Sequence, residues 1–117
     1  MSRPTPIPRR GEIWVYLPTV SGRDKPSHLG ADRVLVLSNT GANAELPTVL
    51  CVPLVTAPEA PPITVALDPA DPLPHVRAAV YKTRPIPRIW LVECLGEVQR
   101  TTMQHVLGAL VDYLGEY

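Results

Sequence analysis

Fifteen prolines are spread along these 117 residues, and they mark where regular structure has to stop. Between them the chain falls into short segments that read as strands. Residues 1–8, with prolines at 4, 6 and 8, read as a flexible N-terminal arm, leaving residues 9–117 as a single domain. Glu12 to Leu17 alternates, with Ile13, Val15 and Leu17 on one face and Trp14 and Tyr16 on the other, which predicts a strand. Pro18 to Asp32 is a long polar loop of the kind that carries function in compact domains. Val34 to Leu37 and Thr48 to Val55 are continuous apolar runs, the pattern of strands buried on both faces. Pro53 lacks an N–H, so it must sit at an edge, a bulge or a strand end. Between these two runs, Ser38 to Pro47 reads as a turn region, with Asn39, Gly41 and Asn43 suited to positive φ.

Ala57 to Pro62 reads as a turn, and Ile63 to Leu67 as a strand. A Pro/Asp connection follows over Asp68 to Pro74. Val76 to Thr83 then reads as a strand, and Ile89 to Val98 contains a further short one. From about Thr101 the period changes. Met103, Val106, Leu107, Leu110, Val111 and Leu114 follow the spacing of one apolar helical stripe, and Gly115 ends it. Gly108 inside this helix costs about 1 kcal/mol against alanine, which predicts close packing against the sheet there. Five to seven strands and one terminal helix predict a mainly β domain with α: a twisted, partly closed antiparallel sheet covered by a C-terminal helix.

Formal net charge is zero, from 11 basic and 11 acidic residues, which argues against a protein that coats nucleic acid through bulk charge. A local basic groove remains open, because Lys82, Arg84 and Arg88 cluster late while Glu59, Asp68 and Asp71 lie in the middle. No apolar run approaches the ~20 residues that span a bilayer. The N-terminal segment lacks the apolar core of a signal peptide, so a cytoplasmic protein without membrane contact is expected. Cys51 and Cys94 sit inside apolar strings without metal-site or redox spacing, and read as reduced, buried small hydrophobes.

Four short motifs occur in a telling order: Gly11-Glu12-Ile13-Trp14, Val34-Leu35-Val36-Leu37-Ser38-Asn39, Val52-Pro53-Leu54, and Leu95-Gly96-Glu97-Val98 followed by Met103. Together they resemble the opening strand, the second and third strands, and the strand-to-helix junction of the MazF/PemK/Kid family of bacterial toxin ribonucleases. The resemblance runs from about Arg9 to Leu114. It implies an SH3-like, partly closed barrel of the CcdB/MazF type with a C-terminal helix. It also implies a homodimer, inhibition by a cognate antitoxin, and sequence-specific cleavage of single-stranded RNA (mRNA) by 2′-hydroxyl attack. Neither metal nor cofactor would take part.

The family's catalytic positions are altered. An arginine followed by proline precedes the family's second strand, whereas Asp32-Arg33 stands here; its threonine follows the Pro-Leu pair directly, whereas Val55 intervenes before Thr56. An Arg-x-Asp found in part of the family falls on Ala79 and Tyr81. One interpretation is a compensated site with Arg33 and Thr56 each displaced by one residue, re-aimed where strand meets loop. The other is loss of the site, leaving a binding module. A CcdB-like gyrase poison is a further alternative, disfavoured by the ending Leu114-Gly115-Glu116-Tyr117.

RNA cleavage of this kind needs a base for the 2′-hydroxyl, a donor for the developing phosphorane charge and a proton for the leaving oxygen. Arg33 offers a bidentate fork for phosphate, Thr56 a hydroxyl, and His28 in the long loop an imidazole suited to acid–base work. His75, beside a proline-rich turn, and His105, on the helix, are weaker candidates. Tyr81, Lys82 and Arg84 are the expected substrate-binding residues, with strand alternation placing Lys82 and Arg84 on one face. Trp14 and Trp90 suit base stacking, but core or interface packing is the better expectation.

Overall fold

The computed structural model of the chain describes residues 6–17, 19–20, 23–24, 33–57, 59–73 and 75–115. The strands are β1 Glu12–Tyr16, β2 Thr19–Val20, β3 Arg23–Asp24, β4 Arg33–Val36, β5 Thr48–Val55, β6 Thr64–Ala66, β7 Arg77–Ala79, β8 Arg84–Pro87 and β9 Leu91–Glu97. The helices are α1 Thr40–Glu45 and α2 Arg100–Leu114. Seven strands form one antiparallel sheet in the order β6-β7-β5-β4-β1-β9, with β8 also paired to β5, while β2 and β3 form a separate ribbon. The order begins at β6 and ends at β9, so the sheet curls without closing.

Alternation along the strands sorts the core into two clusters, one on each face. Ile13, Leu35, Leu37, Val52 and Leu54 pack with Met103 and Val106 of α2. Trp14, Tyr16, Val34, Val36, Val49, Cys51 and Ile86 form the second cluster, with Trp90 partly buried against it. Both tryptophans therefore serve packing, as expected. Each fully buried aliphatic side chain in these clusters stabilises the fold by roughly 1.5–3 kcal/mol through area removed from water.

Pro53 is wholly buried inside β5. Pairing with β8 ends at Cys51 and pairing with β7 begins at Leu54, so proline occupies the gap where one partner strand gives way to the next. Gly11 and Gly96 both have positive φ, +92° and +136°; at Gly96 a Cβ would lie 2.9 Å from Pro72 Cγ, leaving no room for a side chain. Gly96 faces Ile13 and Cys94 faces Trp14, so Leu95 is the extra residue of a bulge that bends β9.

Several expectations are corrected. Ser38–Pro47 is not a positive-φ turn: it contains α1, whose N-cap Asn39 accepts a hydrogen bond from the Ala42 amide at 2.8 Å. Val76–Thr83 is not one strand. It breaks after Ala79 into a 3₁₀ turn over Val80–Lys82, and β8 then resumes with Pro85 and Pro87 on a strand that pairs along one edge. Cys94 is exposed on the edge strand β9, whereas Cys51 is buried as expected. The apolar stripe of α2 packs on the core as far as Leu110 and is uncovered beyond it, since Val111 and Leu114 are 66% and 72% exposed.

Gly108 is exposed, and a Cβ added to it would meet nothing within 4 Å, so it makes no close approach to the sheet. Gly108→Ala is accordingly expected to stabilise the protein by up to about 1 kcal/mol. Chemical denaturation measures this as a higher midpoint at unchanged slope.

Candidate active site

Antiparallel pairing decides which residues meet. Val34 faces Pro53, so the start of β4 and the end of β5 lie at the same end of the sheet. Arg33 opens β4, half-buried, opposite Val15; Thr56 follows β5 directly and is exposed. Arg33 shares alternation with Leu35 and Leu37, and Thr56 with Val52 and Leu54, four residues of the same core cluster. The two displaced residues thus belong to one face and one end of the sheet.

That end holds more than these two. Val55 pairs with Arg77, so β7 starts there too. An open pocket of about 650 Å³ is lined by Thr56, His75 and Arg77, with Ala66, Leu67 and Val76 among its apolar walls. Arg77 is held in place: its Nε donates to Thr64 Oγ1 at 2.8 Å and its Nη2 to the Thr64 carbonyl at 3.2 Å. His75 is exposed and has φ +67°, a left-handed conformation that costs a non-glycine residue about 1–3 kcal/mol. Sequence reasoning misses Arg77 altogether and places His75 low among the candidates. Their signal is faint: two basic side chains bracketing Val76, directly after a proline-rich connection.

The expected substrate-binding trio is distributed differently. Tyr81 and Lys82 lie in the 3₁₀ turn, where strand alternation does not apply, so Lys82 and Arg84 do not share a strand face as expected. Lys82 Nζ sits 5.7 Å from the Tyr81 ring centroid, a cation–π contact. Arg84 is exposed at the start of β8 opposite Cys51, about 16 Å along β5 from Thr56 at roughly 3.3 Å per residue. Its alternation follows Ile86 in the other core cluster, so it belongs to the face opposite Arg33. His28 lies outside the described residues. His105 is exposed on α2.

The Leu-Ser-Asn signature after β4 has a structural use. Ser38 Oγ donates to Asn43 Oδ1 and accepts from the Leu50 amide at 3.0 Å. The buried Asn43 side chain donates to the carbonyls of Pro8, at 2.7 Å, and Ser38, at 3.0 Å. This polar knot ties α1 to β5 and fastens residue 8 of the N-terminal segment. A second knot surrounds the buried Asp71. Its Oδ1 accepts from the Gln99 amide, and its Oδ2 from the Asp68 amide and Thr102 Oγ1, all at 2.7 Å. Asp71 therefore caps α2 from outside and pins the connection that carries His75 to the pocket.

Neither thiol suits nucleophilic work. Burial pushes the Cys51 thiol up to about 12. Burial also raises that of Cys94, helped by the carboxylates of Glu12 and Glu97 and opposed by a hydrogen bond to backbone at Gly96.

Comparison with known proteins now bears on this geometry. No curated protein matches the chain. Among solved structures, it is similar to an endoribonuclease from a Mycobacterial species (27% identity, TM-score 0.75, covering 94% of this chain and 93% of that one). It is also similar to an endoribonuclease in complex with its cognate antitoxin from a Mycobacterial species (27%, 0.73, covering 94% and 97%). The MazE–MazF structure from Deinococcus radiodurans shares the fold at 20% identity and TM-score 0.73, covering 97% of this chain and 100% of that one. The family described as PemK-like, MazF-like toxin of type II toxin–antitoxin system matches residues 9–114. Nearly the whole chain lies within that match, and the open seven-stranded sheet with its C-terminal helix is the fold of these structures: the chain belongs to the PemK-like, MazF-like toxin family.

Proposed function

We propose that this toxin is a metal-independent endoribonuclease that cleaves single-stranded mRNA at a specific sequence through attack of the 2′-hydroxyl. It acts in the cytoplasm as a homodimer and is silenced by a cognate antitoxin. The reading is supported by the placement of Arg33 and Thr56 at one end of the sheet, in a chain 27% identical to endoribonucleases over nearly its full length. Arg33 supplies a planar, permanently charged fork for a phosphate, and Thr56 a hydroxyl donor to a non-bridging oxygen.

Association with a second copy and an antitoxin is supported by apolar surface left uncovered in the monomer. Ile89 and Val92 are 83% and 56% exposed beside and on the edge strand β9, and the end of α2 presents Val111 and Leu114. Among the described residues, no helix is long and apolar enough to cross a membrane.

Incubating the purified protein with a long RNA in EDTA, with products mapped by primer extension, tests the proposal. Discrete cut sites that persist in EDTA are expected. Growth arrest on expression without cleavage at micromolar protein would instead move the target to gyrase or another bound partner. Absence of both cleavage and toxicity would sink the toxin function for this chain.

A further inference from the structure

We propose that Thr56, His75 and Arg77 form the pocket that receives the scissile phosphodiester, and that His75 is the base that takes the 2′-hydroxyl proton. The proposal rests on the endoribonuclease function above and specifies the group that moves the proton. Three segments converge here, each bringing a different chemistry: a hydroxyl after β5, an imidazole from the connection before β7, and a guanidinium at the start of β7. Leu54 faces Ala78 and Val55 faces Arg77. Extending that register by one step sets Thr56 opposite Val76, with His75 and Arg77 on either side; alternation turns Thr56 to the face of Val76 and Arg77 to the other, so the three meet around the end of the sheet, where the pocket opens. Neighbouring strands lie about 4.8 Å apart, so all three backbones flank one small volume.

The pocket, about 650 Å³, suits a nucleotide in size, with apolar walls and a few convergent polar groups. Arg77 spends Nε and Nη2 on Thr64, which fixes the guanidinium plane. Among the described residues Nη1 has no hydrogen-bond partner, and it remains available to a phosphate oxygen. Among the described residues, too, His75 and Arg77 are the only ionisable groups lining the pocket. Nearby carboxylates are Glu59, in the turn after Thr56, and Asp68 and Asp71, in the connection before His75; Asp71 is engaged by Asp68, Gln99 and Thr102.

In the step, a neutral ring nitrogen of His75 accepts the proton from O2′ as the O2′–P bond forms. The P–O5′ bond breaks, its electron pair stays on O5′, and that oxygen is protonated by water. Arg77 and Thr56 meet the charge that develops on the non-bridging oxygens.

The test uses the full-length protein, an RNA oligonucleotide containing its mapped cleavage site, and the same oligonucleotide with a 2′-deoxy sugar at that site. His75→Asn keeps a residue that tolerates positive φ but removes the base; His75→Gly removes the base and relieves the backbone. For both, the single-turnover cleavage rate is expected to fall roughly 10²–10⁴-fold. The affinity for the 2′-deoxy oligonucleotide should change less than about threefold. His75→Gly is expected to melt no lower than wild type. Arg77→Gln should weaken binding of the 2′-deoxy oligonucleotide and lower its salt slope by about one unit. A loss below tenfold in either variant, or a loss matched by an equal loss of affinity for the 2′-deoxy oligonucleotide, overturns the assignment of His75 while leaving the endoribonuclease intact. A wild-type protein that cuts no RNA overturns both.

Discussion

Arg33→Ala is expected to lower RNA cleavage by about 100-fold or more, the scale of losing one preorganised donor to the charge of a transition state. The expectation comes from where β4 begins. Pairing of β1, β4 and β5 sets Arg33 opposite Val15 on one side and near the end of β5 on the other. In the row β4–β5–β7, Arg33 shares a face with Thr56 outside the lining of the pocket, and Arg77 alternates to the other face two strand spacings, or about 10 Å, from Arg33. Lysine keeps the charge but not the planar fork, so Arg33→Lys should retain an intermediate rate. Rates of all three proteins on one mapped RNA, with melting temperatures alongside, decide the matter. An alanine variant that cuts at the wild-type rate would make Arg33 a scaffold residue and leave the chemistry to Thr56, His75 and Arg77.

The second large effect concerns stability. Asp71→Ala should cost about 3–5 kcal/mol, because a buried carboxylate with three hydrogen bonds disappears and its donors lose their acceptor. Against a typical total of about 5–15 kcal/mol, this is a large share, and melting should fall by roughly 15 °C. Asp71→Asn should cost less, since one amide oxygen still accepts, but the amide NH₂ then confronts a donor. Thr102→Val removes a single donor and should cost about 1 kcal/mol. Calorimetry on the four proteins checks the order. A loss under 1 kcal/mol for Asp71→Ala would mean that water replaces the carboxylate. The same knot holds the connection that delivers His75, so Asp71→Ala should also reduce cleavage at temperatures where the protein remains folded.

The legible parts of the fold are those in which one physical signal acts alone. Val34 to Leu37 is a continuous apolar run and is buried on both faces of the sheet, as is Cys51 to Leu54 within the second run, where Leu50 is the exception at 38% exposed. Met103, Val106 and Leu107 pack as their helical period requires, with Met103 and Val106 fully in the core. The misread parts are those in which signals conflict. Asn39, Gly41 and Asn43 suit a positive-φ turn equally well, yet Asn39 caps a short helix and Asn43 is drawn into the core by the carbonyls of Pro8 and Ser38. Val76 to Thr83 reads as one strand, but β5 exchanges one partner for another at Pro53, and the chain must turn at Val80 to follow. That turn takes Tyr81 and Lys82 out of the strand. Val111 and Leu114 continue the stripe of α2 beyond Leu110, where its packing on the core ends.

The proline spacing and the two uninterrupted apolar runs determined a mainly β domain closed by a helix, because periodicity and a missing N–H act within a few residues. The four ordered motifs determined the family on the same local footing. Which side chains gather at one end of the sheet was decided only in three dimensions. Arg33 and Thr56 lie 23 positions apart in sequence, and His75 and Arg77 a further 19 and 21. Only the antiparallel register of β4, β5 and β7 sets them in one row, because strand pairing couples distant residues through hydrogen bonds that no local pattern encodes.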